Sequence, residues 1–297
     1  MSNRSAFRDF CFSLLVIGLV AAGAAEPLFF IQLSDSQFGF YAQNTNTQQE
    51  TANFEFAIAT ANRLKPSFVI VTGDLVHKAE KQEQAEEYQR IIAKLDKSIP
   101  VYQLPGNHDV GNIPTPESIA KYTARFGPDH YSFRCGSVMG LALNSCLIKS
   151  PESVREQADQ QEAWLKAELV KVKEERVRHV IVFQHHPWFV ENIDEPDGYH
   201  NLPKQERRHF LDLFRQHGVT HIFAGHHHAN KTAKYESIEM VTSGAIGKPL
   251  RKDVSGLRIV IVRDAGIEHQ FYHLGEIPNR ISLLPPRKAT TKTPKHN

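Results

Sequence analysis

The chain has 297 residues, 41% of them hydrophobic, and a formal net charge of +2. That length and apolar content are enough for one large core. The near balance of charge removes any bulk electrostatic argument for binding nucleic acid or a membrane surface.

Residues 1–25 stand apart from the rest. Arg4 and Arg8 precede the apolar run FCFSLLVIGLVAAGAA, which ends in small residues, with Ala22-Gly23-Ala24 as a cleavage triplet. A basic start, a short apolar stretch and a small-residue exit are the layout of a secretory signal peptide. The protein is therefore expected to be exported, periplasmic or secreted, with no stable membrane span after cleavage.

From residue 28 onward, strand-like runs alternate with amphipathic helical stretches. LFFIQLS reads as the first strand. TQQETANFEFAIATANRL opens with Thr47 and Glu50 spaced as a capping box and places Phe54, Ala57, Ile58, Ala61 and Leu64 on one face. SFVIVTGD follows as a strand, a charged helix is expected over about 79–97, and IPVYQLPGNHD is a further strand. TPESIAKYTARF starts a helix with Pro116 suitably placed in its first turn.

YSFRC and VMGLALNSC read as two strands around the turn Gly136-Ser137. At about 3.3 Å per residue along each strand, Cys135 and Cys146 would then lie far beyond disulfide reach. Both are expected as ordinary buried thiols. A long helix to about residue 175 comes next. HVIVFQHHP and THIFAGHHH then flank a helix at roughly 204–217. IEMVTSG, LRIVIVRD and IEHQFYHL are expected as an antiparallel finish. The pattern argues for an α/β protein with mixed sheets in one domain over 26–284. The Pro-, Lys- and Thr-rich stretch 285–297 is expected to be a disordered basic tail.

Side chains of ligand type gather where the strands end. Asp35, Asp74, Asn107 with His108 and Asp109, His185, and His226 with His228 each follow an apolar run. That is the edge at which open α/β sheets collect ligands. Turn and cap roles explain any one of these residues, but not five strand ends together. Gly73, Gly106 and Gly225 precede three of the clusters and would let the backbone turn sharply into a common centre. A carboxylate such as Asp74 can bridge two cations. Imidazoles, carboxylates and an amide oxygen suit Zn, Mn or Fe, and no thiolate is placed to select a softer ion. Two metals about 3.5–4 Å apart lower the pKa of a bridging water and brace the entering and leaving oxygens of a phosphoryl displacement. A neighbouring imidazole that is not a ligand can then protonate the leaving alkoxide.

The ordered set D-x-Q, GDLVH, GNHD, HHP and GHHH over residues 35–228 resembles the metallophosphoesterase (calcineurin-like) superfamily. DSQFGF, GNHDVGNIPTPES, VFQHHPWFVENIDE and SGAIGKPLRKDVSGLRIVIV are similar to its calcineurin-like phosphoesterase domain-containing Ser/Thr phosphatases. The resemblance implies a four-layer sandwich of two mixed β-sheets flanked by helices, with the metals at one edge. It implies Asp35, Asp74 and His228 at the first metal, Asp74 bridging, and Asn107, His185 and His226 at the second. His108 would be the general acid, held by Asp109. The superfamily ligand lies two residues before Pro187, which selects His185 over His186. His186 and His227 are expected to face away.

Gln37 departs from the superfamily, which usually has Asp-x-His there, and a glutamine oxygen is the weaker donor toward Zn or Fe. Every other ligand position is filled, so the site is expected to be active. His77 stands three residues after Asp74, where the purple acid phosphatase branch supplies a tyrosine, and it is a second candidate for the first metal.

The stretch PWFVENIDEPDGYHNLP follows the fourth motif. Its Trp188, Phe189 and Tyr199 form either a binding wall or a lid packed on its own aromatics, and its acids disfavour a polyanion such as nucleic acid. The resemblance points to phosphomonoester substrates, phosphoSer or phosphoThr among them, attacked by a metal-bridging hydroxide. Two alternatives stay open: a phosphodiesterase acting on cyclic nucleotides or phospholipid head groups, and a secreted metal- or phosphate-binding protein without catalysis. His108 speaks against the last, since binding alone has no use for a leaving-group acid.

Overall fold

A computed structural model describes residues 25–175, 177–250 and 252–284. Residues 1–24 of the segment expected to be a signal peptide, and residues 285–297, expected to be a basic tail, lie outside the described residues. The strands are β1 (Leu28–Leu33), β2 (Val69–Thr72), β3 (Val101–Leu104), β4 (Tyr131–Cys135), β5 (Val138–Ala142), β6 (His179–Phe183), β7 (Val219–Ala224), β8 (Lys231–Tyr235), β9 (Ile238–Thr242), β10 (Gly256–Arg263) and β11 (Gly266–His273). The helices are α1 (Gln48–Leu64), α2 (Gln82–Ile92), α3 (Asn107–Val110), α4 (Pro116–Phe126), α5 (Ser145–Lys149), α6 (Arg155–Glu174) and α7 (Lys204–Gln216).

Alternation along β1 generates the layers. Successive side chains of a strand point to opposite faces, and in β1 both faces are buried, so it reads as an apolar run interrupted only by Gln32. Phe29, Ile31 and Leu33 pack with Phe54, Ala57 and Ile58 of α1 and Tyr88 and Ile91 of α2. Leu28 and Phe30 point the other way, into a core shared with Phe183 and Phe223 of the second sheet. On the far side, Leu141, Val180 and Val182 meet Leu165 and Leu169 of α6 and Phe210, Leu211 and Phe214 of α7. The result is helix, sheet, sheet, helix. The first sheet has the order β11-β10-β1-β2-β3 and the second β4-β5-β6-β7-β9-β8. β1, β2 and β3 run parallel, as do β5, β6, β7 and β9, so both sheets send several carboxyl-terminal strand ends to an edge.

Phe30 is the packing hub between the sheets. Its ring stacks on Phe68 at 4.5 Å and meets Phe183 and Phe223 edge-on at 5.6 and 5.7 Å. Phe30→Ala should therefore lower unfolding free energy by about 3–5 kcal/mol. Urea unfolding should show the loss as a lower midpoint at an unchanged slope.

Four local expectations are corrected. Thr47 sits at the N-cap of α1 but its side chain makes no capping bond. Glu50 is buried and accepts the N–H of Tyr41 at 2.6 Å instead. The charged helix is shorter than 79–97, because Gln84 turns inward and accepts the N–H groups of His77 and Lys78, keeping 77–81 as loop. The finish is not wholly antiparallel: β9 lies parallel to β7 in the second sheet, next to the polar edge strand β8 that sequence pattern missed, while β10 and β11 complete the first sheet. Cys146 lies on α5 rather than on a strand, where the Asn144 side chain caps its N–H; Cys146 is buried and Cys135 only half-buried, and both are free thiols. Among the described residues no helix is long and apolar enough to cross a membrane.

Candidate metal centre

The loops that leave β1, β2, β3, β6 and β7 carry the site. Asp35, Gln37, Asp74, His226 and His228 all have φ between 41° and 67°. That left-handed region is uncommon for residues other than glycine, and such strain concentrates where a side chain must be aimed for function. Backbone bonds hold the turns: Asp35 N–H to Gly73 O at 3.1 Å, Gln37 N–H to Asp74 O at 2.8 Å, and Gly225 N–H to His185 O at 3.0 Å. Of the three preceding glycines, Gly73 does adopt a positive φ of 85°. Gly106 and Gly225 serve differently, by leaving room: a Cβ on Gly106 would strike the Asp74 carboxylate, and one on Gly225 would strike Ser34 and Asp35.

Two ligand groups share one residue. Asp35, Asp74 and His228 form the first, and Asp74, His185 and His226 the second, with the donor atoms of each group within 4.8 Å of one another. Asp35 Oδ1 lies 3.3 Å from His228 Nε2, and Asp74 Oδ2 lies 3.3 Å from His185 Nε2. Asn107 joins the second group through Oδ1, 3.1 Å from His185 Nε2, which in turn lies 3.2 Å from His226 Nδ1. The outward nitrogen of each ring meets a backbone carbonyl: His185 Nδ1 at Thr72 O (2.9 Å), His226 Nε2 at Tyr199 O (2.9 Å) and His228 Nδ1 at Lys248 O (2.6 Å). A carbonyl only accepts, so those nitrogens carry protons and the opposite nitrogens are turned to the centre. Metal-ligating histidines are tied down in this way.

Electrostatics agree with that reading. Burial disfavours charge on every group here, yet Asp74 and Asp35 hold His185 up at about 9, and Asp35 raises His228 against the same penalty. Burial, with His185 beside it, pushes His226 down to about 3. Despite burial, Asp35 and Asp74 are drawn below the usual carboxylate range by His228 and His185 respectively. Two buried carboxylates keep protons on their neighbours, protons that a bound cation would displace, and the oxygen and nitrogen donors would suit Zn, Mn or Fe.

The remaining candidates divide. Gln37 is 1% exposed and its Oε1 is buried without a hydrogen-bond partner. His77 lies outside both ligand groups; its ring is stacked between Phe40 and His108, with centroids 4.8 Å from each. Burial, and then His108, lowers it to about 4, so it is neutral near pH 7. His108 donates its backbone N–H to Asp74 Oδ1 at 2.8 Å, and its Nδ1 lies 2.9 Å from the carbonyl of His77. The expected grip of Asp109 on His108 is therefore corrected. Asp109 is the third residue of α3, so its side chain turns back to the helix start and takes the N–H of Gly106 at 2.8 Å. It also accepts from Leu75 and Val76, lacing the two loops together.

His186 and His227 stay out of the ligand groups, as expected. His186 is buried behind His226 with Nδ1 2.9 Å from Ser145 Oγ, and His227 packs on His200. Trp188 and Phe189 form no binding wall: both are fully buried in the core under α7. Tyr199 alone of the three aromatics reaches the centre, where its hydroxyl accepts from Asn107 Nδ2 at 3.1 Å. Asn112, which sequence reasoning missed because it follows no strand, accepts from the same Nδ2 at 2.9 Å.

Two mixed sheets between helices, with an Asp/Asn/His cluster at their common edge, are the arrangement expected of a metal-dependent phosphoesterase. Residues 30–230 match the family described as Calcineurin-like phosphoesterase, and the chain belongs to that family. It is 37% identical over 270 residues to the serine/threonine-protein phosphatase CPPED1 of Homo sapiens, covering 86% of each chain. Its fold is similar to that of a dimetal phosphatase from Danio rerio, with a TM-score of 0.58 at 16% identity, over 82% of this chain and 99% of that one. It is also similar to that of the purple acid phosphatase PPD1 from yellow lupin, with a TM-score of 0.65 at 13% identity, over 84% of this chain and 52% of that one.

Proposed function

We propose that this protein hydrolyses phosphomonoesters, phosphoSer and phosphoThr residues among them, at a pair of divalent or trivalent cations. The observation that carries this reading is Asp74, common to two ligand groups that otherwise differ. The likeness to CPPED1 supports the Ser/Thr substrate class, and the N-terminal signal pattern supports an exported enzyme. Asp35, Asp74 and His228, with Gln37, would hold the first cation; Asp74, Asn107, His185 and His226 would hold the second. When bound, the ions supply Lewis acidity toward the phosphoryl oxygens and an activated water at neutral pH. The chain's own residues do the rest. The carbonyls of Thr72, Tyr199 and Lys248 fix the imidazole tautomers, and the His77 carbonyl occupies His108 Nδ1. With Nδ1–H given to that carbonyl, Nε2 can hand a proton to the leaving oxygen only when the ring is the imidazolium, whose second N–H it then carries.

The test is a panel of phosphate mono- and diesters, phosphopeptides included, assayed with Mn, Zn or Fe added to metal-free protein. Hydrolysis of monoesters in preference to diesters is the expected result. Preference for cyclic nucleotides or phospholipid head groups would move the reading to a diesterase, and inertness with all three metals would overturn it. Gln37 Oε1 and His77 Nδ1 are both buried without a hydrogen-bond partner, and Gln37 is favoured for the first cation because the His77 ring is stacked between Phe40 and His108. A crystal structure with metals bound decides: a His77 nitrogen at the ~2.0–2.1 Å of a ligand bond would reverse that choice.

A further inference from the structure

Of the three carbonyls that tie down the histidines, two belong to segments beside the strand ends, Thr72 closing β2 and Lys248 in the loop before β10. The third, Tyr199, sits in the irregular loop 190–203 that bridges β6 and α7, and 54% of its surface is exposed. Yet this residue touches two of the three side chains peculiar to the second ligand set: its carbonyl meets His226 Nε2 at 2.9 Å and its hydroxyl accepts from Asn107 Nδ2 at 3.1 Å. Its ring also lies 4.7 Å from that of His226.

What keeps an exposed loop in register with a metal site is a buried cation beneath it. Arg207 of α7 is fully buried, and its guanidinium donates to the carbonyls of Leu202 (2.9 Å), Ile193 (2.9 Å) and Glu195 (2.7 Å) and to Asp197 Oδ1 (3.2 Å). Lys149 of α5 donates to the carbonyls of Gly198 at 2.6 Å and Asn201 at 2.5 Å, on either side of Tyr199. Five loop carbonyls thus converge on two side chains, the fully buried Arg207 and the half-buried Lys149. Burying a guanidinium is costly unless each donor finds a partner, and here the loop backbone is that partner. The first ligand group has no such dependence, since His228 is held by Lys248.

We propose that Tyr199 is the positioning residue of the second cation site, fixing His226 by its carbonyl and Asn107 by its hydroxyl, and that Arg207 sets it there by docking loop 190–203. This rests on the two-cation reading above. Undocking the loop frees His226 to change tautomer and leaves the Asn107 amide with Asn112 alone, so the second cation weakens while the first does not. Groups that orient metal ligands from outside typically govern affinity by about 10–100-fold.

The experiment is calorimetric titration of metal-free full-length protein with Mn²⁺, read beside thermal melts. Wild type should bind two ions, and the class lost in His226→Ala identifies the second site. Arg207→Met should weaken that class by about 10–100-fold and spare the other. Tyr199→Phe should weaken the same class by less, because the carbonyl and Asn112 remain. The double variant Tyr199→Phe/Asn112→Ala should weaken it by more than the product of the two single effects. The double variant decides alone if Arg207→Met does not fold. Wild-type binding in all folded variants, or equal weakening of both classes, overturns the proposal while leaving the two-cation reading intact. A wild type that binds fewer than two ions overturns that reading itself.

Discussion

Asp74→Asn is expected to lower turnover by more than about 10³-fold, beyond what a single transition-state donor supplies, and to abolish the rise of melting temperature on metal addition. No other residue belongs to both ligand groups. Its two oxygens are separately committed, Oδ2 toward His185 and Oδ1 to the backbone N–H of His108. Asparagine keeps the shape but offers one oxygen and no charge, so it can complete at most one ion's shell. The stability consequence follows from linkage. A ligand that binds only the folded state stabilises by about 4 kcal/mol at a thousandfold excess over Kd, and that increment goes with the site. The metal-free variant should change less, because losing the Asp74–His185 attraction is offset by no longer burying the carboxylate charge. Melts of both proteins with and without Mn²⁺, beside turnover of an aryl phosphate, check the pair of effects. A variant that keeps the metal-dependent shift and its rate would remove Asp74 from the bridging role.

How much was legible beforehand follows from the range of the forces involved. The strands could be read because β1 and its neighbours are buried on both faces, and the convergence of candidate ligands because five of the loops leaving those strands carry Asp, Asn or His near their start. Both are patterns along the chain. The errors occur where a side chain chose a distant partner over a near one. Glu50 has capping-box spacing but bonds Tyr41, and Gln84 looks like a helix surface residue but closes the loop at His77. Trp188 and Phe189 follow the HHP motif closely, yet the apolar face of α7 claims them. Asp109 adjoins His108 in sequence, but the start of α3 turns it toward backbone N–H groups. The corresponding role of the His77 carbonyl leaves no trace in residue type, since every residue has a carbonyl.

That carbonyl shapes the second expected result, which concerns His108. His108→Ala should reduce kcat by about 10²–10⁴-fold for esters of poorly leaving alcohols, the usual worth of a positioned acid, and by much less for a nitrophenyl phosphate. A leaving group that departs as a stable anion needs little protonation, whereas a serine or threonine alkoxide needs it fully. The surroundings suit the role. His108 is stacked on His77, its Nδ1 is engaged, and its backbone is anchored on Asp74. It also borders a cavity of about 240 Å³, lined by His77, Lys78, Glu80, Gly111 and Asn112 among others, into which an alcohol could depart. A plot of rate against leaving-group pKa should therefore steepen in the variant, while Mn²⁺ binding stays at the wild-type value because His108 belongs to neither ligand group. If turnover of every ester, alkyl and aryl alike, survives the substitution, the leaving oxygen takes its proton from elsewhere and the proposed mechanism fails. If Mn²⁺ affinity falls with the rate across all esters equally, His108 acts through the metals and not on the leaving group. Only selective loss, graded by leaving-group basicity at constant metal affinity, identifies an imidazolium that gives its Nε2 proton while a carbonyl holds Nδ1–H.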